Sequence, residues 1–253
     1  MNTKISTKKA ILSSLGALII LIVSQIAAEL VASCFVLLHL PMGICNIIAG
    51  ILYLFFAYII IKQYTRKLLK RNLESMNIRP IHFDLKWILV AFLLPISITI
   101  VYLLLPGEFV PTNTPSSTLF ATLSAGIFHS GIAAGIVEEL VFRGIILNLL
   151  KERWNKTVAI LIPSLIFGLV HIIGMKFTLL SCFLVIASGT LVGIMFSLIS
   201  LTKESIWNSA IVHVLWNIII IGGFLTISES SSSNSLFHYV IDSKNFALTG
   251  GEF

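Results

Sequence analysis

The strongest constraint in this chain is a series of apolar blocks, each about twenty residues long and nearly free of charge, the length a helix needs to cross a hydrocarbon core. Inside a bilayer every backbone N–H and C=O must be satisfied within the protein, so such blocks fold as helices packed against one another. They run at about 10–38, 45–61, 87–105, 119–150, 158–173, 179–201 and 206–225. The expectation is an all-α, polytopic transmembrane bundle of about seven helices. Charged residues make up 11% of the 253, against about 25% in a soluble domain, which excludes an ordinary soluble fold. The three cysteines, Cys34, Cys45 and Cys182, supply no paired disulfide framework.

Net charge is +6, and the positions of the basic residues decide what that excess means. With the N-terminus inside, Lys4, Lys8 and Lys9, the seven from Lys62 to Lys86, then Arg143, Lys151, Arg153, Lys156 and Lys203 all fall on the cytoplasmic side. That leaves Lys176 and Lys244 outside, so fifteen of seventeen bases obey the positive-inside rule. The reading is a cell-membrane, multi-pass protein with its N-terminus cytoplasmic and its C-terminus outside, its charge reporting orientation and lipid contact and not nucleic acid. Lys8 and Lys9 ahead of an apolar run, followed by Val31-Ala32-Ser33-Cys34, look like a secretory leader. That run is too long and is broken by Glu29, so an uncleaved first crossing is expected, with Glu29 near the outer headgroups.

Three stretches organise the chain: 1–118, N-terminal crossings with a basic cytoplasmic loop; 119–225, a catalytic membrane domain; and 226–253, a polar tail. Residues 106–117 and the serine-rich 228–235 read as irregular exposed loops. No internal repeat is visible, which counts against a transporter built from duplicated halves.

Ionisable groups inside spans are costly and mark function. Here they gather in three spans, as Glu138-Glu139 with Arg143, Phe167 with His171, and His213 with Asn217. On a helix Glu139 and Arg143 share a face and form an ion pair, while Glu138 points about 100° away and is the carboxylate available for acid–base work. At 1.5 Å of rise per residue Glu138 lies ~18 Å deep, His171 ~20 Å, and His213 and Asn217 ~11 and ~17 Å. Overlapping depths on separate helices describe an intramembrane polar cavity suited to peptide hydrolysis. Glu138 takes a proton from water and returns it to the leaving amine, His171 orients the water, and His213 with Asn217 donate to the oxyanion. Ser130, Ser164, Ser209 and Cys182 have no identifiable activating base. His129, nine residues from Glu138, falls on the opposite side of its helix. Gly131-x3-Gly135 and Gly189-x3-Gly193 are expected to pack helices within the monomer, and Trp87, Trp154 and Trp207 mark span ends.

These three motifs in this order resemble the CAAX-protease and bacteriocin-processing (CPBP, or Abi) family, which includes the type 2 CAAX prenyl protease and lysostaphin-resistance-like proteins. The resemblance covers about 119–220. It implies an intramembrane endopeptidase of the glutamate type with Glu138, His171, His213 and Asn217 as catalytic residues, supported by Glu139, Arg143 and Phe167. It further implies a peptide or protein substrate in or at the membrane, prenylated or of leader type. No cofactor is expected, although Glu138, His171 and His213 would be the ligands of a zinc-like divalent metal if the enzyme used one. The rival readings are a non-catalytic bacteriocin-immunity or peptide-binding protein, or a transporter using the same cavity.

Overall fold

A computed structural model describes residues 5–173, 178–230 and 233–242. Lys4, Lys176 and Lys244, counted above for orientation, lie outside the described residues, as do 231–232 of the serine-rich run and 243–253 of the polar tail. The helices are α1 Thr7–Leu37, α2 Met42–Gln63, α3 Leu85–Leu103, α4 Ser116–Ser124, α5 Gly135–Glu139, α6 Leu147–Arg153, α7 Lys156–Val170, α8 Leu179–Lys203 and α9 Trp207–Ile221. Wider π turns fill Tyr64–Leu69, Ala125–Ala134 and Leu140–Ile146.

Among the described residues four helical segments are long and apolar enough to cross a bilayer: Thr7–Leu37, Met42–Leu69, Leu85–Leu103 and Leu179–Lys203. Lys156–Val170 and Trp207–Ile221 are shorter and equally apolar. This is a membrane protein built as a helical bundle. The chain divides into two compact units, one of 1–25, 56–83 and 137–210, the other of 26–55, 84–136 and 211–253.

In the first unit, α7 and α8 begin at side-chain caps. Asn155 accepts from Val158 N at 2.9 Å and Thr178 from Ser181 N at 3.1 Å, each satisfying an amide the first turn leaves open. Glycines then set how closely these helices approach. A Cβ on Gly189 would sit 2.8 Å from Gly168 Cα, and one on Gly193 would sit 2.8 Å from Ser164 Cα. The small-residue stripe of α8 therefore packs against α7 of the same chain, as expected. Side-chain bonds also gather several polar segments at one end of this unit. Arg153 Nε donates to Thr7 Oγ1 at 2.7 Å, Arg71 Nη2 to Glu152 at 2.6 Å, and Trp207 Nε1 to the Arg79 carbonyl at 2.6 Å.

In the second unit a three-stranded sheet joins β1 Gly107–Val110, β2 Leu225–Ser228 and β3 Phe237–Ile241 in the order β1-β3-β2. β1 runs antiparallel to β3 with Gly107 opposite Ile241, and β2 runs parallel to it with Leu225 opposite Phe237. β1 thus forms inside 106–117, expected to be irregular, while β2 and β3 flank most of the other such stretch, 228–235. Tyr239 fastens it by donating its hydroxyl to the Leu105 carbonyl at 2.8 Å.

Candidate active site

The fourth apolar block is not a uniform α-helix. It runs from α4 through the π stretch Ala125–Ala134, α5, the π stretch Leu140–Ile146 and α6. π turns bond i to i+5 and recur at functional sites. They also turn carbonyls away from the ordinary ladder, and one side chain collects two of these: Asn148 Nδ2 donates to Gly144 O at 2.7 Å and to Arg143 O at 3.2 Å. Gly144 makes room on the other side, since a Cβ there would meet Ile78 Cδ1 at 3.1 Å.

The ion pair expected from the spacing is present. Arg143 Nη1 lies 2.7 Å from Glu139 Oε1, with the two side chains 1% and 0% exposed. Arg143 Nη2 donates to the Gly193 carbonyl of α8 at 3.0 Å, a contact made possible by the close α7–α8 approach. Three phenylalanine rings enclose the guanidinium, with centroids 4.8 Å (Phe167), 5.2 Å (Phe196) and 5.6 Å (Phe142) from Cζ. A ring face stabilises a desolvated cation, so the charge is held by one carboxylate, one carbonyl and three aromatic faces. Glu138 is half-buried and within coulombic reach of the same guanidinium.

Phe167 carries this arrangement on to the second motif. Its ring centroid lies 4.6 Å from that of His171, and its carbonyl accepts from His171 Nδ1 at 2.6 Å. A carbonyl only accepts, so the proton is on Nδ1 and, in the neutral imidazole, Nε2 carries the lone pair. His171 itself follows the last residue of α7 and is exposed, since the helix expected to run on to 173 closes at Val170.

His213 and Asn217 belong to the second unit. His213 is 4% exposed. Asn217 Nδ2 donates to the Ser130 carbonyl at 2.9 Å, again collecting a carbonyl of a π stretch, and the amide retains a second N–H. The same face of α9 presses on glycines, for a Cβ on Gly135 would meet Val214 Cγ2 at 2.9 Å. His129 points elsewhere, stacking on Tyr53 with centroids 5.9 Å apart and placing Nε2 3.5 Å from Glu29 Oε1.

Two residues escaped the sequence reading. Phe196 is one of many phenylalanines, and its one signal is its position three residues after Gly193. Asn148 stands out as a polar residue within the apolar run 144–150. Among the described residues no three His, Cys, Asp or Glu side chains stand together as a metal-holding group.

Residues 117–219 match the family model described as type II CAAX prenyl endopeptidase Rce1-like. The match covers less than half of the chain and contains every motif residue described above. No curated protein and no solved structure matches.

Proposed function

Starting from the match of residues 117–219 to the type II CAAX prenyl endopeptidase Rce1-like family model, we propose that this membrane protein is an intramembrane endopeptidase in which Glu138 activates water. Glu138 takes a proton from water as its oxygen attacks the scissile carbonyl, and the same carboxyl returns that proton to the departing amine. His171 Nε2, its tautomer set by the Nδ1–H bond to Phe167, accepts a hydrogen bond from the water and orients it. His213 and the second N–H of Asn217 donate to the oxyanion, a contribution worth roughly 3–4 kcal/mol per donor in comparable hydrolases. Glu139 and Arg143 touch no substrate; they hold the helical run that carries Glu138.

The observation that carries this reading is the continuous tie from Glu139 through Arg143 and Phe167 to His171. Burying an ion pair is costly, and here its cation packs on the ring whose backbone fixes the histidine. The catalytic segment is 119–225. The substrate is a peptide in or at the membrane, of prenylated CAAX or leader type, reached from the cytoplasmic face, where the basic segments gather. The N-terminus is cytoplasmic and the C-terminus outside.

The purified protein in detergent, offered quenched-fluorescent membrane peptides, is expected to cleave them and to lose at least 100-fold in rate on Glu138→Gln, the scale of removing an acid–base group. Activity that survives a chelator supports water activation by the carboxylate alone. Chelator loss restored by zinc would replace this mechanism with a metal-dependent one, and no cleavage of any prenylated or leader peptide would favour an immunity or peptide-binding role.

A further inference from the structure

At one end of the first unit lies a polar cavity of about 360 Å³, lined by Asn77, Arg79, Asn148, Lys151, Glu152 and Glu204 among others. Two cations from different elements converge there on one carboxylate. Arg79 Nη2 lies 3.3 Å from Glu204 Oε2, and Lys151 Nζ lies 3.2 Å from Glu204 Oε1. Of the two other carboxylates lining it, Glu152 is already committed, receiving Arg71 on both oxygens at 2.6 Å, and Glu74 is exposed to solvent. Glu204 is 54% exposed, so water screens its pairing and makes it exchangeable. It also caps α8 at φ 48, a left-handed conformation unfavourable for a non-glycine residue. Asn77, 5% exposed, adds to the wall a side-chain amide whose Nδ2 has no hydrogen-bond partner among the described residues.

We propose that Arg79 and Lys151 bind the free C-terminal carboxylate of the peptide being cut, and that Glu204 occupies this place in its absence. This rests on the protease reading and deepens it by naming what selects a chain end over an internal site. A carboxylate is the fitting ligand because the two cations already grip one, oxygen for oxygen. The spacing agrees. Glu138 and Lys151 lie on one helical run, thirteen residues apart and about 20 Å at most along its axis, less where the run widens into π turns. The last three or four residues of an extended peptide span roughly 10–14 Å, which suits release of a short C-terminal fragment. Asn148 lies between the two ends, lining the cavity while holding the carbonyls of Arg143 and Gly144.

The test measures fluorescence anisotropy of labelled peptides ending in a farnesylated Cys-aliphatic-aliphatic-X box, as free acid and as C-terminal amide, on full-length Glu138→Gln protein in detergent. The amide is expected to bind about tenfold more weakly, the scale of losing one charge-assisted contact. Arg79→Gln and Lys151→Gln, each checked for an unchanged unfolding midpoint, are expected to remove the difference, and Glu204→Gln to tighten binding of the acid. Equal binding of acid and amide, or binding of neither, overturns the proposal. Competition by phosphatidylglycerol micelles with no acid preference also overturns it and assigns the cations to a lipid headgroup. An acid preference without cleavage by the wild-type protein would keep the carboxylate site and remove the protease reading; cleavage without that preference would do the reverse.

Discussion

Arg143 donates to Glu139 across 2.7 Å with both side chains sealed from solvent. Removing one partner leaves an uncompensated buried charge, which costs about 3–5 kcal/mol. Glu139→Gln and Arg143→Met are therefore each expected to lower the thermal unfolding midpoint in detergent sharply. The double variant should recover part of the loss, because two neutral groups leave no lone charge behind. A double variant as unstable as the sum of the singles would show that the pair is not coupled.

Asn148 supplies the hydrogens that two π-turn carbonyls need. Asn148→Ala is expected to cost about 1–3 kcal/mol through those unsatisfied acceptors. Hydrogen–deuterium exchange should accelerate across 140–146 and remain unchanged in α8. Uniform acceleration throughout the first unit would instead indicate general destabilisation.

Gly193 permits the helix contact that delivers its own carbonyl to Arg143. A methyl group there would meet Ser164 Cα at 2.8 Å, backbone that cannot swing aside, so Gly193→Ala is expected to lose about 1–3 kcal/mol by overpacking. Thermal unfolding checks this, with Ser188→Ala on an exposed face of α8 as the variant expected to do nothing.

Asn217 divides its amide between structure and the proposed oxyanion. Asn217→Ala removes one hydrogen bond and should cost roughly 1 kcal/mol in stability. Asn217→Asp is expected to be worse, because it sets a carboxylate oxygen against the Ser130 carbonyl. If the second N–H serves catalysis, peptide cleavage falls about 10²–10³-fold in both. Retained cleavage in Asn217→Ala would confine the residue to tying α9 to the π stretch.

The native cysteines report orientation directly. Cys34 is exposed near the far end of α1, while Cys45 and Cys182 are buried. An impermeant maleimide added to intact cells is expected to label the chain once, at Cys34, and Cys34→Ser to abolish the signal. Labelling only after lysis would reverse the assigned orientation.

The helical character and membrane nature of the chain were legible in its apolar blocks, because hydrocarbon admits few other folds. The Glu139–Arg143 pair was legible in its spacing, and the packing of Gly189 and Gly193 in their small size. The π turns were not, since a run such as Leu140–Ile146 is composed like any apolar helix and the extra residue in each turn leaves no compositional trace. The sheet was hidden for a different reason: its strands are four or five residues long, and β1 pairs with a strand more than a hundred residues away. Phe196 and the Gly193 carbonyl joined the Arg143 environment through tertiary packing, which no local periodicity reveals.

The π turns between Glu139 and Leu147 give the helical run the character of a vernier. Each residue of an α-helix advances the bearing of its side chain by about 100°, so chain length within the run sets where its two ends point as firmly as residue identity does. Deleting one residue from 140–146 would let the run close as ordinary helix with α6 near its present bearing, whereas a second deletion would turn α6 by that angle, swinging Asn148 off its carbonyls and Lys151 off Glu204. Glu138 and the distant polar cavity are thus indexed to each other by a residue count.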